Sequence, residues 1–347
     1  MYVALQNVVK TYDSYLAADH IDLSIDEGRL VALLGPSGSG KTTILRMIAG
    51  LERQDSGDII IDGRVVNDVP GNARGIGFVF QNYALFRYMT VYDNIAFGLQ
   101  LQKKDKLYTR QRVEELLALT DLTGLEGRYP NQLSGGQRQR VAFARAIAPN
   151  PRLLLLDEPF AAIDAKVRKD LRAWLRQTIS RLGVTSIFVT HDQDEAVEVA
   201  DEIVVTNRGR IEQVGTPIEI CTDPATPFVA RFIGHGAEIS DIRVFHGFEQ
   251  AGAAAAIVQP EFVHVFRPDE STALPQGLLQ TGAVQRVSFR GASYELCIAA
   301  CGAELTAFRS LEAPPIAPGD TVKLYISRAK GLCGDKTLPL RNAALAE

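Results

Sequence analysis

The chain has 347 residues, 46% of them hydrophobic and 22% charged, with a formal net charge of −4. That composition is ordinary for a globular protein of two domains, and its mild acidity argues against a nucleic-acid or anionic-membrane partner recruited by bulk charge. No apolar run reaches the ~18–20 residues that span a bilayer, and the N-terminus MYVALQNVVK lacks the charged-then-apolar order of a signal peptide. The expectation is a cytoplasmic protein that meets a membrane only through a partner.

Taken in chain order, the first segment of note is VVKTYDSYLAAD (8–19). Its Tyr12 stands upstream of a phosphate-binding pattern, where an aromatic ring either stacks on a base or packs in the core. RLVALLG (29–35) reads as a strand and runs into GPSGSGKT (35–42), which opens a helical pattern over 41–51. This fits GxxxxGK[ST] in full. Gly35, Pro36, Ser37, Gly38, Ser39 and Gly40 form a loop whose backbone N–H groups turn around an anion. Lys41 reaches the β- and γ-phosphates, the Thr42 hydroxyl is a Mg²⁺ ligand, and Thr43 follows in the first turn.

GIGFVFQ (75–81) is a second strand, ending on Gln81, whose amide can ligate Mg²⁺ and orient water or be an ordinary strand-end group. Helical patterns cover 112–122 and 137–148, the latter stopped by Pro149 and preceded by LSGGQ (133–137). There Ser134, Gly135, Gly136 and Gln137 form a second place to hold a phosphate. RLLLLDE (152–158) is a continuous apolar run, as expected of a strand covered on both faces. It ends on Asp157, a candidate Mg²⁺ ligand, and Glu158, a candidate to polarise an attacking water. An amphipathic helix over 167–183 leads to the strand TSIFVTH (185–191), closed by His191, a candidate γ-phosphate contact.

This is an α/β pattern with a parallel sheet. Four apolar runs end at Gly35, Gln81, Asp157–Glu158 and His191. Ligands bind beyond the carboxyl ends of parallel strands, so four such ends imply one site. Near residue 236 the composition changes. The runs over 237 to about 340 alternate with turn residues and read as a small all-β, barrel-like domain, while the tail RNAALAE reads as loosely held. The four cysteines Cys221, Cys297, Cys301 and Cys333 form no CxxC pair and read as free thiols in a reducing compartment, with a disulfide or metal role for Cys297 and Cys301 as the alternative.

With GPSGSGKT, LSGGQ, LLLLDE and His191 in this order, the chain resembles the ATP-binding subunits of ABC transporters over essentially its whole length. The resemblance implies a P-loop ABC cassette at 1–236, with a helical subdomain at about 88–150, and an OB-like regulatory β domain at 237–347. It implies ATP and Mg²⁺ as ligands. It puts the adenine-stacking aromatic on Tyr12, the Q-loop on Gln81, the D-loop on Asp164 and the switch histidine on His191. It also implies a head-to-tail homodimer in which Ser134 and Gly136 of one chain cap the ATP held by the other.

Further expected partners are two transmembrane permease subunits and a periplasmic or extracellular solute-binding protein, with the chain on the cytoplasmic face of the inner membrane. GFVFQNYALFRYMTVYDNIAFGL (77–99), DAKVRKDLRAWLR (164–176) and ADEIVVTNRGRIEQVGTP (201–217) look most like the ATPases of sulfate/thiosulfate importers. Importers of polyamine, ferric iron, sugar or molybdate, and a soluble non-transport ABC ATPase, are the alternatives. Phe86, Tyr88 and Met89 either meet a permease or pack within the helical subdomain.

Overall fold

The computed structural model describes residues 1–161, 165–234, 236–270, 272 and 276–345. Two compact units divide the chain, Met1–Pro217 and Ile218–Glu347.

The first unit is organised on a six-stranded sheet. Its order is Arg210–Gly215, Glu202–Asn207, Leu30–Leu34, Thr185–Thr190, Leu153–Asp157, Ile76–Val79. Glu202–Asn207 through Ile76–Val79 are all parallel; only the edge strand Arg210–Gly215 returns antiparallel. Leu30–Leu34, Leu153–Asp157 and Thr185–Thr190 are buried at every position, which is why their sequences show apolar runs without alternation.

The helices Val91–Leu101, Lys106–Leu119 and Gly135–Ile147 lie in the chain between Ile76–Val79 and Leu153–Asp157 and pack on one another. Each starts on a side-chain cap: Thr90, Asp105 and Ser134 accept from the N–H groups of Asp93, Tyr108 and Gln137. Such caps satisfy donors that the first turn cannot.

A second sheet of this unit, antiparallel, is absent from the sequence reading. Its order is Tyr15–Ile25, Val3–Tyr12, Ser56–Ile61, Arg64–Val65. Tyr12 and Tyr15 close its first hairpin, with Asp13 at φ 49° in the turn.

The second unit is all-β apart from short helical segments such as Pro227–Phe232, which packs on Lys336–Arg341. Its five-stranded antiparallel sheet runs Val263–Phe266, Thr321–Ile326, Gln280–Phe289, Ser293–Ala300, Ala303–Ser310. The two outer strands approach each other, so the sheet nearly closes into a small barrel. A four-stranded sheet of Ala237–Ile239, Ala256–Val258, Arg328–Cys333 and Lys336–Arg341 completes the unit around Phe245, Phe248, Ile298, Leu305 and Leu324.

The start of the tail departs from expectation. Asn342 is buried and donates to the carbonyls of His246 (3.0 Å) and Ile326 (2.8 Å), which pins the chain there. All four cysteines are free thiols.

Candidate active site

The register of the parallel strands decides the site. Leu34 pairs with Thr190, Val189 with Asp157, and Leu156 with Val79. Gly35, His191, Glu158 and Gln81 therefore follow the carboxyl ends of four adjacent strands, and the one site expected from the sequence is assembled.

The phosphate loop is shaped by close backbone approach. A Cβ on Gly35 meets the Thr206 carbonyl oxygen at 2.3 Å, and one on Gly40, at φ 95°, meets that of Ala17 at 2.1 Å. Only glycine fits at these two positions. Gly40 caps the helix Lys41–Ala49 without a side-chain bond, so its first N–H groups face the loop. Lys41 is buried and folded back into it. Its Nζ donates to the carbonyls of Gly35 and Pro36 (2.8 Å each) and to the Ser39 hydroxyl (3.3 Å).

Burial lowers the Lys41 pKa, against the opposing pull of Glu158 and Asp157. A desolvated ammonium held by neutral acceptors, inside a ring of backbone donors, fits a polyphosphate. Ser39 is itself fixed by the Thr206 hydroxyl at 2.9 Å.

Beside this loop the Thr42 hydroxyl donates to Asp157 at 3.2 Å. Asp157 is buried, and desolvation raises its pKa. A hydroxyl and a carboxylate side by side are hard oxygen donors of the kind Mg²⁺ takes while keeping water and phosphate oxygens. Among the described residues no group of three or more His, Cys, Asp or Glu side chains could hold a metal ion.

Glu158 is held from two sides. The Gln81 amide donates to its Oε2 at 2.8 Å, and His191 Nδ1 lies 3.5 Å from its Oε1. Its backbone is left-handed, φ 46°, a conformation costly for a residue with a side chain. That twist turns the carboxylate off the strand end toward Gln81 and His191. No hydrogen bond joins Gln81 to Thr42 or Asp157 among the described residues.

Four supporting residues, Thr190, Asp192, Glu195 and Tyr15, escaped the sequence reading. Thr190 donates to the buried Glu195 at 2.5 Å and accepts from the Asp192 N–H at 3.0 Å, and Asp192 caps the helix Gln193–Val199. This ring braces the turn that carries His191; Glu195, four residues on in HDQDEA, is its only signal in the sequence. Tyr15 donates to the Gly38 carbonyl and props the phosphate loop from outside. Its hairpin partner Tyr12 is 40% exposed rather than in the core. Burial, with the nearby Glu52 carboxylate, raises the Tyr12 pKa, and Lys10 Nζ is 5.1 Å from its ring centroid.

The signature segment is a separate feature. Ser134 accepts from the Gln137 N–H at 3.2 Å and the Gln137 side chain accepts from the Ser134 N–H at 2.9 Å. Among the described residues no hydrogen bond or ion pair links Ser134, Gly135, Gly136 or Gln137 to the phosphate loop of the same chain. Asp164 lies outside the described residues.

Between Gln81 and the helix Val91–Leu101, the chain is clamped by the buried Asn94 and the half-buried Arg145. Asn94 accepts from the Phe86 N–H (2.9 Å) and donates to Phe86, Met89 and Thr90 carbonyls. Arg145 donates to the carbonyls of Tyr83 and Ala84, both at positive φ. Phe86 packs on Phe97 with ring centroids 4.5 Å apart, whereas Tyr88 is 97% exposed. Arg87, Tyr88, Tyr129, Pro130, Gln132 and Arg138 line an open groove of about 770 Å³.

Comparison with known proteins agrees with this geometry. The ABC transporter family profile matches residues 18–161, and the TOBE domain profile matches 256–332. A sulfate/thiosulfate import ATP-binding protein of Synechocystis sp. is 50% identical over 301 residues, 85% of this chain and 84% of that one. One from Mycobacterium tuberculosis is 46% identical over 344 residues, 96% of this chain and 94% of that one. Among solved structures, a dimeric ATP-binding cassette in a post-hydrolysis state, bound to ADP and Pi, superposes with a TM-score of 0.57. It is 35% identical and covers 62% of this chain and 98% of its own.

Proposed function

The chain belongs to the ATP-binding subunits of ABC transporters, and from that premise we propose that it hydrolyses ATP to drive import of sulfate or thiosulfate. The observation that carries the ATPase reading is the convergence of a buried Lys41, the Thr42–Asp157 pair and the Gln81–Glu158–His191 cluster at adjacent strand ends. The solute rests on the curated relatives named above.

Each residue then has a task. The loop Gly35–Thr43 wraps the phosphates, Lys41 leaves its carbonyl acceptors for them, and Tyr12 stacks on the adenine. Thr42 and Asp157, with Gln81, hold Mg²⁺, which supplies charge neutralisation on the phosphate oxygens. Glu158 accepts a proton's share from the attacking water and His191 contacts the γ-phosphate, both oriented by the contact between them.

Ser134, Gly135, Gly136 and Gln137 serve the ATP of a second copy, together with Asp164, in a head-to-tail homodimer. The self-contained cap at Ser134 and its separation from the loop in one chain favour this division, as does the dimeric assembly of the solved relative. The groove at Arg87–Tyr88 receives one of two permease subunits, which places the chain at the cytoplasmic face of the membrane and links it to an external solute-binding protein. No helix among the described residues is long and apolar enough to cross a membrane. The C-terminal unit is the regulatory part.

The solute is tested by deleting the gene in a strain with no second sulfate importer. Growth on limiting sulfate should fail and be restored by cysteine or by the wild-type gene, and not by Glu158→Gln. Unimpaired growth would transfer the assignment to another solute.

A further inference from the structure

The adenine end of the site holds more than one aromatic ring. Lys10 lies between two register shifts in the pairing of Val3–Tyr12 with Tyr15–Ile25. Such irregularities re-aim a side chain beside a site. The Lys10 Nζ stands over the Tyr12 ring, 5.1 Å from its centroid. The Lys10 side chain is only 12% exposed, whereas the Tyr12 residue as a whole is 40% exposed. The ammonium therefore covers the inner face of the ring and leaves the outer face open to solvent.

Two carboxylates keep it there, Glu52 Oε1 at 3.0 Å and Asp55 Oδ1 at 3.3 Å. Asp55 is itself tied to the strand: its Oδ2 accepts from the Thr11 N–H at 2.6 Å, and its own N–H donates to the Val9 carbonyl at 2.8 Å. Glu52 belongs to the turn that ends the helix Lys41–Ala49, where its N–H donates to the Arg46 carbonyl at 3.2 Å. Burial acting alone would lower the Lys10 pKa; the Glu52 and Asp55 carboxylates outweigh it and raise the pKa, so the cation persists. One ammonium against two carboxylates leaves the group net negative, so it does not attract a phosphate.

We propose that Lys10 is a positioning residue for nucleotide binding: it holds the Tyr12 ring from within and, by occupying that face, directs the nucleobase to stack on the other. The proposal rests on the reading of Tyr12 as the adenine-stacking residue. A cation is drawn to the negative face of an aromatic ring, which fixes the ring plane without closing its outer side. Through Glu52 that plane is tied to the end of the same helix whose start holds the phosphates. The base and phosphate ends of the nucleotide are thereby registered on one rigid element.

Direct binding titrations of the full chain test this, with ATP, ADP and inorganic tripolyphosphate as probes. Lys10→Met keeps the length of the side chain and removes its charge. It should weaken ATP and ADP alike by about three- to tenfold and leave tripolyphosphate within about twofold. Lys10→Arg, whose guanidinium also stacks on aromatic faces and pairs with carboxylates, should restore most of the ADP affinity. In a double-mutant cycle Lys10→Met should add nothing to Tyr12→Ala, because the lysine acts through the ring. Melts without nucleotide check that each variant folds, and Lys10→Gln enters the same cycle if the methionine variant does not. A lysine needed only for the fold would weaken tripolyphosphate as well, by the same factor with or without the ring. That result, or full ADP affinity in Lys10→Met while Tyr12→Ala loses it, overturns the proposal alone. Full ADP affinity in Tyr12→Ala overturns the stacking reading, and the proposal falls with it.

Discussion

Two helix starts in this chain are ready to meet a phosphate, and they are built differently. The helix Lys41–Ala49 begins at Gly40 with no side-chain cap, beside a buried ammonium and a Thr–Asp pair. Its polar groups are satisfied by carbonyls and hydroxyls that a ligand can replace. The helix Gly135–Ile147 begins with a closed capping box between Ser134 and Gln137. Its nearest basic side chain, Arg138, is turned back to the Leu133 carbonyl at 2.8 Å. The first start is an incomplete structure that a charged ligand completes; the second is complete and offers only backbone N–H groups and a hydroxyl. Charge does the work at one and shape at the other, so the second needs a phosphate that is already held.

The largest effect is expected where charge acts on the reaction. Glu158→Gln keeps the hydrogen bond from Gln81 in reach and removes the base, so turnover should fall by about 10²–10⁴-fold while ATP still binds. Near-normal hydrolysis in a steady-state assay would remove Glu158 from the mechanism.

Next comes the division between the two starts. Lys41→Ala and Ser134→Arg homodimers each have two broken sites, whereas a mixed dimer has one site built from an intact loop and an intact signature. Mixing the variants should restore nucleotide trapping to one site per dimer. No recovery, with heterodimers demonstrated, would mean both starts act on the same chain's ATP. Lys41 itself carries a signed expectation. Its pKa is lowered by burial, so its charge costs stability below the folded-state pKa, and wild-type stability recovers as pH rises through that value toward 10.5. Lys41→Met should therefore melt at or above wild type at pH 7 without nucleotide, and lose the melting shift that ATP gives.

A smaller loss is expected at Tyr12. Tyr12→Ala should weaken ATP and ADP equally, by about 1–3 kcal/mol, because stacking is indifferent to phosphate number. A loss confined to ATP, in direct binding titrations, would place Tyr12 at the phosphates.

The smallest effect is the brace under His191. Burial raises the Glu195 pKa above its ordinary 4.5. A raised carboxyl favours the folded state at low pH, and that contribution is lost as pH rises from about 4.5 through the folded-state value. Wild type should lose stability relative to Glu195→Gln across that window in calorimetric melts, and a pH-independent difference would mean Glu195 does not titrate in the folded chain.

Much of the site was legible because its motifs are local. GPSGSGKT, LSGGQ and LLLLDE each fit within one loop and the element beside it, and continuous apolar runs announced buried parallel strands. Parallel strands put all their carboxyl ends on one edge, so four polar strand ends translated directly into one site. The antiparallel sheet of the first unit was not legible for an equally physical reason. The pairing of Val3–Tyr12 with Tyr15–Ile25 shifts register at three places, which breaks the period-two pattern that marks such strands.

The sequence by itself determined the chemistry available: an ammonium, hydroxyls, carboxylates, an imidazole and glycines at fixed spacings. Tertiary structure alone decided which of these touch. It set Gln81 and His191 on opposite sides of Glu158, buried Lys41 among carbonyls, and put Tyr15 on Gly38 and Glu195 under Thr190. Those contacts depend on strand register and on packing between segments up to 77 residues apart, about which local residue order is silent.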